Sequence, residues 1–310
     1  MDTFDLEKTP EADPAQQVLA QANAQTKPEH KACLFVVATP IGNLGDISPR
    51  ARDTLAMVDC VAAEDTRVTA QLLSLLGLKK PLLASHVHNE KASAQTILEK
   101  LQQGKNIALV SDAGTPAVSD PGAWVVREVA AAGFPVVPLP GPSALLAAVS
   151  ASGLVEGPFH FGGFMPAKSA ARRKALSQVL DVPDSVVLFE APHRIEALFE
   201  DMLFLGEALR PCCVAREITK KFETFYRGTV EAVNDLIAAD DNTKRGELVV
   251  VLGPKQPDLS APLMCSLNPF ELLDALLEHL PNKTAVKLVA QMTAAPKNAL
   301  YDHALKKQRD

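Results

Sequence analysis

Ile107-Ala108-Leu109-Val110, followed at once by Ser111-Asp112-Ala113-Gly114-Thr115-Pro116-Ala117-Val118-Ser119-Asp120-Pro121-Gly122, decides the fold. Four unbroken apolar residues bounded by a turn-rich segment read as a strand buried on both faces. The helical pattern Ala123 to Ala132 comes directly after the loop. Open α/β sheets place ligands at the carboxyl ends of their strands, often against a helix N-terminus. Gly114 lets the backbone approach a ligand closely, and Asp112 and Asp120 can accept hydrogen bonds from an amine or a ribose. The plain alternative is a turn whose Asp and Ser side chains only cap the helix. Capping explains one such residue. It does not explain this density of Asp, Gly and Pro in twelve positions.

Outward from this loop, strand-like and helical runs alternate. Leu34 to Ala38 is a strand candidate, Arg50 to Met57 a helix, Val58 to Ala63 a strand and Val68 to Leu76 a helix. Leu82-Leu83-Ala84, the helix Ala92 to Leu101, Val136-Val137 and a helix from Ser143 complete a first unit. Such alternation implies a mostly parallel sheet with helices on both faces. In a second unit, Phe159-His160-Phe161, Val186 to Phe189, Val214 to Glu217, Thr224 to Val230 and Leu248 to Leu252 are strand-like, with a basic helix Ala170 to Leu180. Only one helix is inserted before the last strand, so this sheet is expected to be mixed and partly antiparallel. The expected division is a flexible tail at 1–31, α/β domains at 32–152 and 153–254, a linker at 255–268, and a helical unit at 269–310.

Composition bounds the function. Of 310 residues, 47% are hydrophobic and 22% charged, as in a globular protein, and no apolar run is long enough to cross a bilayer. Met1 to Lys31 is polar, with no signal-peptide pattern. Five scattered cysteines (Cys33, Cys60, Cys212, Cys213 and Cys265) show no zinc spacing, so a reducing cytoplasm is expected. The net charge of −6 argues against a generic nucleic-acid binder. Any RNA contact must use a local basic patch.

Two further loops occupy the same place after strands: Thr39-Pro40-Ile41-Gly42-Asn43-Leu44-Gly45-Asp46 and Pro138-Leu139-Pro140-Gly141-Pro142-Ser143-Ala144. Neither is a dinucleotide fingerprint or a Walker phosphate loop. Three Gly/Pro loops on one sheet edge suggest a cleft. Together with Glu64-Asp65-Thr66-Arg67, Ser85-His86-Val87-His88-Asn89-Glu90, Phe161-Gly162-Gly163-Phe164-Met165-Pro166, Phe189-Glu190-Ala191-Pro192-His193-Arg194 and Arg216-Glu217-Ile218-Thr219-Lys220, they resemble the tetrapyrrole-methylase superfamily. Within it, the motifs are most similar to the ribosomal RNA small subunit methyltransferase I family, cytidine 2′-O-methyltransferases. The resemblance spans roughly Leu34 to Gly253 and continues more weakly to the C-terminus.

The resemblance implies two α/β domains with S-adenosylmethionine in the cleft between them. Cofactor contacts are then expected from Pro40, from Asp112, Ala113, Gly114, Thr115 and Pro116, and from Ser143 and Ala144. Phe189, Ala215 and Leu252 would border the adenine. The family is typically dimeric, and the substrate would be small-subunit ribosomal RNA, in an assembled subunit.

Methyl transfer from a sulfonium is an in-line displacement, and a ribose hydroxyl must lose its proton on the way. Glu64, Asp65 and Arg67 are the candidate catalytic group, an acid beside an arginine that would hold the nucleotide. The stretch Glu64 to Arg67 also reads as a helix start, with Asp65 or Thr66 capping and Arg67 solvated. Asp112 is a second candidate acid. His86 and His88 lack an acidic or cysteine partner at metal-binding spacing, so no metal is expected. Lys168, Arg172, Arg173 and Lys174 form the one dense basic run, and with Arg194 they are candidates for RNA phosphates. Such runs are also common on solvated helix faces. Pro281 to Ala290 and Pro296 to Tyr301 suggest a helix-turn-helix. The competing functions are methylation of a tetrapyrrole precursor, which needs neither the basic run nor the helical unit, and RNA binding without catalysis.

Overall fold

The computed structural model describes residues 31–255, 268–293 and 295–307. The expected tail before Lys31 and most of the expected linker, with Cys265, lie outside these residues. The first half alternates strictly: β1 (Leu34–Val37), α1 (Pro49–Met57), β2 (Cys60–Ala63), α2 (Thr66–Leu75), β3 (Leu82–Ala84), α3 (Glu90–Gln102), β4 (Ile107–Val110), α4 (Ala123–Ala131), β5 (Val136–Leu139) and α5 (Ala144–Ser152). Its five strands are parallel, in the order β3-β2-β4-β1-β5. Successive side chains point to opposite faces of a strand, and both faces are covered here. Leu34, Ala62, Ile107 and Leu109 pack with Ile97 and Leu101 of α3 and Val125 and Val129 of α4. Val37, Val61, Ala108 and Val110 pack with Leu55 of α1 and Leu73 of α2.

The second half contains β6 (Phe159–Phe164), α6 (Ser169–Leu180), β7 (Ser185–Glu190), α7 (Ile195–Phe204), β8 (Pro211–Arg216), β9 (Thr224–Thr229), α8 (Val230–Ala239) and β10 (Leu248–Leu252). The strand order is β6-β7-β10-β8-β9. β6 and β7 are parallel and the other pairings antiparallel, the mixed sheet expected from sequence. Its outer face packs on α6, α7 and α8 around Phe199, Leu188, Val250 and Leu252. Burying a side chain as large as Phe199 contributes roughly 1.5–3 kcal/mol. Its inner face, with Val187, Cys213, Ala215 and Val251, is covered by Ala148 and its neighbours on α5. The last helix of the first half thus closes the core of the second, and both halves form one compact unit ending at Pro254.

Residues from Lys255 onward cluster as a separate unit. It contains α9 (Pro269–Leu277), α10 (Asn282–Met292) and α11 (Lys297–Lys307). Leu273, Val286, Val289 and Leu300 form its own core. Among the described residues no helix is long and apolar enough to cross a membrane.

Candidate active site

The three Gly/Pro loops are tied to one another at the carboxyl ends of β1, β4 and β5. Thr39 and Gly114 exchange backbone hydrogen bonds of 2.9 and 3.0 Å. The buried Thr39 hydroxyl donates to the Ser111 carbonyl at 3.2 Å, and the Thr115 hydroxyl to the Pro142 carbonyl at 3.1 Å. Gly114 has φ +81°, and a Cβ there would meet Ile41 Cγ2 at 3.4 Å. That left-handed conformation favours glycine. The far end of the long loop is fixed by Glu90, whose Oε1 accepts from the amides of Gly122 and Trp124 at 2.8 and 3.0 Å. A side chain on α3 therefore caps α4.

These loops and the second sheet enclose a cavity of about 350 Å³. Ala113, Gly114, Thr115, Ser143, Ala144 and Phe189 all line it, so the structure brings together six of the residues expected to bind cofactor. Ile41, Val118, Phe164, Ile218 and Val249 supply an apolar wall. Three carboxylates, Asp120, Glu190 and Glu247, also line it, with no Lys, Arg or His among the lining residues. Glu190 is paired with Arg194 and Glu247 with Lys220, which leaves the charge of Asp120, and an apolar slot bearing one such carboxylate suits a nucleoside with a cationic centre better than a phosphate-bearing cofactor. S-adenosylmethionine fits that description. No group of three His, Cys, Asp or Glu side chains suited to a metal occurs among the described residues.

Pro40, Asp112, Pro116, Ala215 and Leu252 do not line the cavity. Pro40 adjoins Ile41, and Pro116 lies within the loop. Ala215 is on the inner face but fully buried in the core beneath α5. Leu252 is corrected outright. Val249 and Val251 face inward, so Leu252 points outward and packs with the helices of the opposite face. Glu190, Glu247 and Ile218 line the cavity although the sequence reading does not expect them there; Glu190 and Ile218 lie in the Phe189–Arg194 and Arg216–Lys220 segments.

Glu64, Asp65, Asp112 and Asp120 gather at the ends of β2 and β4. Asp65 does what the simple helix-start reading predicts: its Oδ1 caps α2 by accepting from the Arg67 amide at 2.8 Å. It also pairs with the Arg67 guanidinium at 2.6 Å, and these hydrogen bonds hold its carboxyl at about 2. The Asp65 amide donates to Asp112 Oδ1 at 2.9 Å. Arg67 is otherwise solvated, with 89% of its side chain exposed. Burial pushes the Glu64 carboxyl upward, and the charge of Asp120 adds to it.

The basic run requires a second correction. Arg172 is buried, and it donates to Asp201 at 2.6 Å and to the carbonyls of Ala167 and Ala197 at 3.1 Å. Buried in this way, it is out of reach of a phosphate. Arg173 pairs with the same carboxylate at 2.5 Å and lies 3.8 Å over the Phe204 ring. Arg194 pairs with Glu190 at 3.1 Å and donates to the Met165 carbonyl. Lys168 and Lys174 are exposed.

Residues 33–234 match the family described as Tetrapyrrole (Corrin/Porphyrin) Methylases, and residues 271–308 match the RsmI C-terminal HTH domain. A protein of Xylella fastidiosa named ribosomal RNA small subunit methyltransferase I is 46% identical over 268 residues, covering 86% of this chain and 97% of its own. One of the same name from Neisseria meningitidis is 48% identical, covering 88% of this chain and 92% of its own. Among solved structures, the uroporphyrin-III C-methyl transferase of Thermus thermophilus complexed with S-adenyl homocysteine shares the fold. Its TM-score is 0.50 at 20% identity, covering 72% of this chain and 97% of that one. On these matches, which span the sheets, the cavity and the helical unit alike, the chain belongs to the ribosomal RNA small subunit methyltransferase I family of the tetrapyrrole methylases.

Proposed function

We propose that this protein methylates the 2′-hydroxyl of a cytidine ribose in small-subunit ribosomal RNA, using S-adenosylmethionine. The observation that carries this reading is the near full-length similarity to proteins named for that substrate, in both the catalytic unit and the helical unit. The apolar cavity, with the Asp120 carboxylate in its wall, supports the choice of donor. When bound, the sulfonium supplies an electrophilic methyl group.

The chain's own contribution is positioning and proton transfer. The backbone of Ala113 to Thr115 and the start of α5 hold the nucleoside, while Phe189, Ile218 and Val249 exclude water from it. Arg67, exposed at the end of β2, is the group proposed to hold an RNA phosphate. Lys168 and Lys174 remain as a peripheral contact. We place the reaction in the cytoplasm, on an assembled small subunit, with a pair of copies as the working unit.

The test is methyl transfer from radiolabelled S-adenosylmethionine to small ribosomal subunits, naked RNA and tetrapyrrole precursors, with nuclease mapping of the modified nucleotide. Label in a cytidine 2′-O-methyl group is the expected result. Label only in a tetrapyrrole, or binding of RNA with no transfer to anything, would overturn the reading.

A further inference from the structure

Five carboxylates lie in or beside the cavity besides Asp120, and the structure disqualifies each as the proton acceptor. Asp65 is committed to its helix cap and to Arg67. Glu190 is fully buried, accepts from the Ala191 amide at 2.8 Å and is paired with Arg194. The Glu247 carboxylate is 73% exposed and paired with Lys220 at 3.2 Å. Asp112 is exposed, outside the cavity wall, and engaged by the Asp65 amide. Glu64 is half-buried but does not reach the wall. Asp120 alone is half-buried, in the wall, and without a cationic partner among the described residues.

The backbone around it is built to hold that position. Ala117 and Ser119 adopt left-handed conformations, with φ of 66° and 62°, which are strained outside glycine. A Cβ on Gly163 of β6 would meet Ser119 Oγ at 3.0 Å, so the second sheet closes against this turn. Two residues beyond Asp120, Gly122 is pinned by Glu90. Strain kept by surrounding structure is a mark of functional loops.

We propose that Asp120 is the general base, deepening the methyl-transfer reading above, on which it rests. As the oxygen–methyl bond forms and the sulfur–methyl bond breaks, the electron pair of the broken bond stays on sulfur. The hydroxyl proton passes to an Asp120 carboxylate oxygen. Burial raises the Asp120 carboxyl above its usual value; the Ser111 hydroxyl opposes this and the charge of Asp112 adds to it. The other charged groups about it are Glu64 on the first half and, in the same cavity wall, Glu190 and Glu247 on the second. A raised carboxyl is a better base but must be ionised, so the rate falls as pH falls through its value.

Asp120→Asn and Asp120→Glu should be compared with the parent by three measurements. These are calorimetry with S-adenosylhomocysteine, single-turnover methylation of small subunits across pH, and carbon-13 NMR titration of the carboxyls. In Asp120→Asn, turnover should fall about 100-fold or more while S-adenosylhomocysteine affinity stays within about threefold, with partial recovery in Asp120→Glu. The acid limb of the pH profile should disappear. The Glu64 titration should move down, because the Asp120 charge helps raise it. Parent-like turnover in Asp120→Asn, or affinity lost in step with turnover, overturns the assignment. A parent inactive on every ribosomal substrate instead overturns the function reading, and the assignment with it.

Discussion

Arg172 and Lys174 are two residues apart in one basic run, yet one is buried and the other exposed. Composition cannot separate them. Helical periodicity can, since Arg172, Leu176 and Leu180 share the inner stripe of α6. Their physical consequences are opposite. Arg172→Ala leaves the Asp201 carboxylate to Arg173 and Ser169 alone and removes a charge-assisted hydrogen bond from the interior, so denaturation should show a loss of about 1.5–3 kcal/mol. Burial opposes ionisation of Asp201, but hydrogen bonds from Arg173, Ser169 and Arg172 outweigh it and hold the carboxyl below its ordinary value. The folded value is below the unfolded one, about 3.9, so its stabilisation is full above that pH and fades as pH falls through the folded value. The stability advantage of the parent over Asp201→Asn should therefore shrink on acidification, as read from urea transitions between neutral and acid pH. An advantage that stays constant with pH would show that Asp201 acts through packing alone. Gly114 is the other decisive residue. Gly114→Val forces a branched side chain into a left-handed position against Ile41, and calorimetry on the folded variant should detect no S-adenosylmethionine binding.

At the scale of elements, the order of strands and helices was legible because each run is short, apolar and closed by a turn. What failed was direction and edges. Leu248 to Leu252 is buried at every position, so it carries no alternation from which a face can be read, and the resemblance that implies an adenine contact for Leu252 finds no check in the pattern. Pro138 concealed the end of β5, which tolerates it because β5 is an edge strand. Val230 read as strand, but the Thr229 hydroxyl accepts from the Ala232 amide at 3.2 Å and starts α8 there. α3 begins at Glu90, two residues before the apolar pattern, and that extra turn carries the carboxylate that caps α4. Such long-range capping leaves no local signal. It also makes a prediction: Glu90→Ala should lose about 0.5–2 kcal/mol of stability. The Gly122 and Trp124 amides should exchange faster with solvent, and S-adenosylhomocysteine should bind more weakly. Unchanged exchange at those two amides would mean that the loop is held by its contacts with β6 instead.

The whole molecule carries a net charge of −6, and three of its carboxylates line the cavity, yet the proposed substrate is a polyanion. The arrangement is consistent only if the cofactor cavity and the RNA contacts are electrostatically separate. The helical unit is the element best suited to supply the second. It has its own core, and Lys283, Lys287, Lys297 and Lys306 are exposed on its surface. The unit ending at Pro254 likewise has complete cores on both faces of both sheets. A chain ending there should fold and should bind S-adenosylhomocysteine as the full chain does, since every cavity-lining residue precedes the cut. Its affinity for small-subunit RNA should fall, and so should the dependence of that affinity on salt. Each phosphate contact to single-stranded RNA contributes about 0.7 to the slope of log K against log salt, so losing two or three contacts lowers the slope by about 1.4–2.1. Filter binding of both chains across a salt series reads this directly. If affinity falls while the slope stays fixed, the helical unit contributes shape or apolar contact, and the phosphate contacts lie on Arg67, Lys168 and Lys174. If neither changes, the unit serves something other than RNA, and RNA recognition belongs entirely to the unit that holds the cavity.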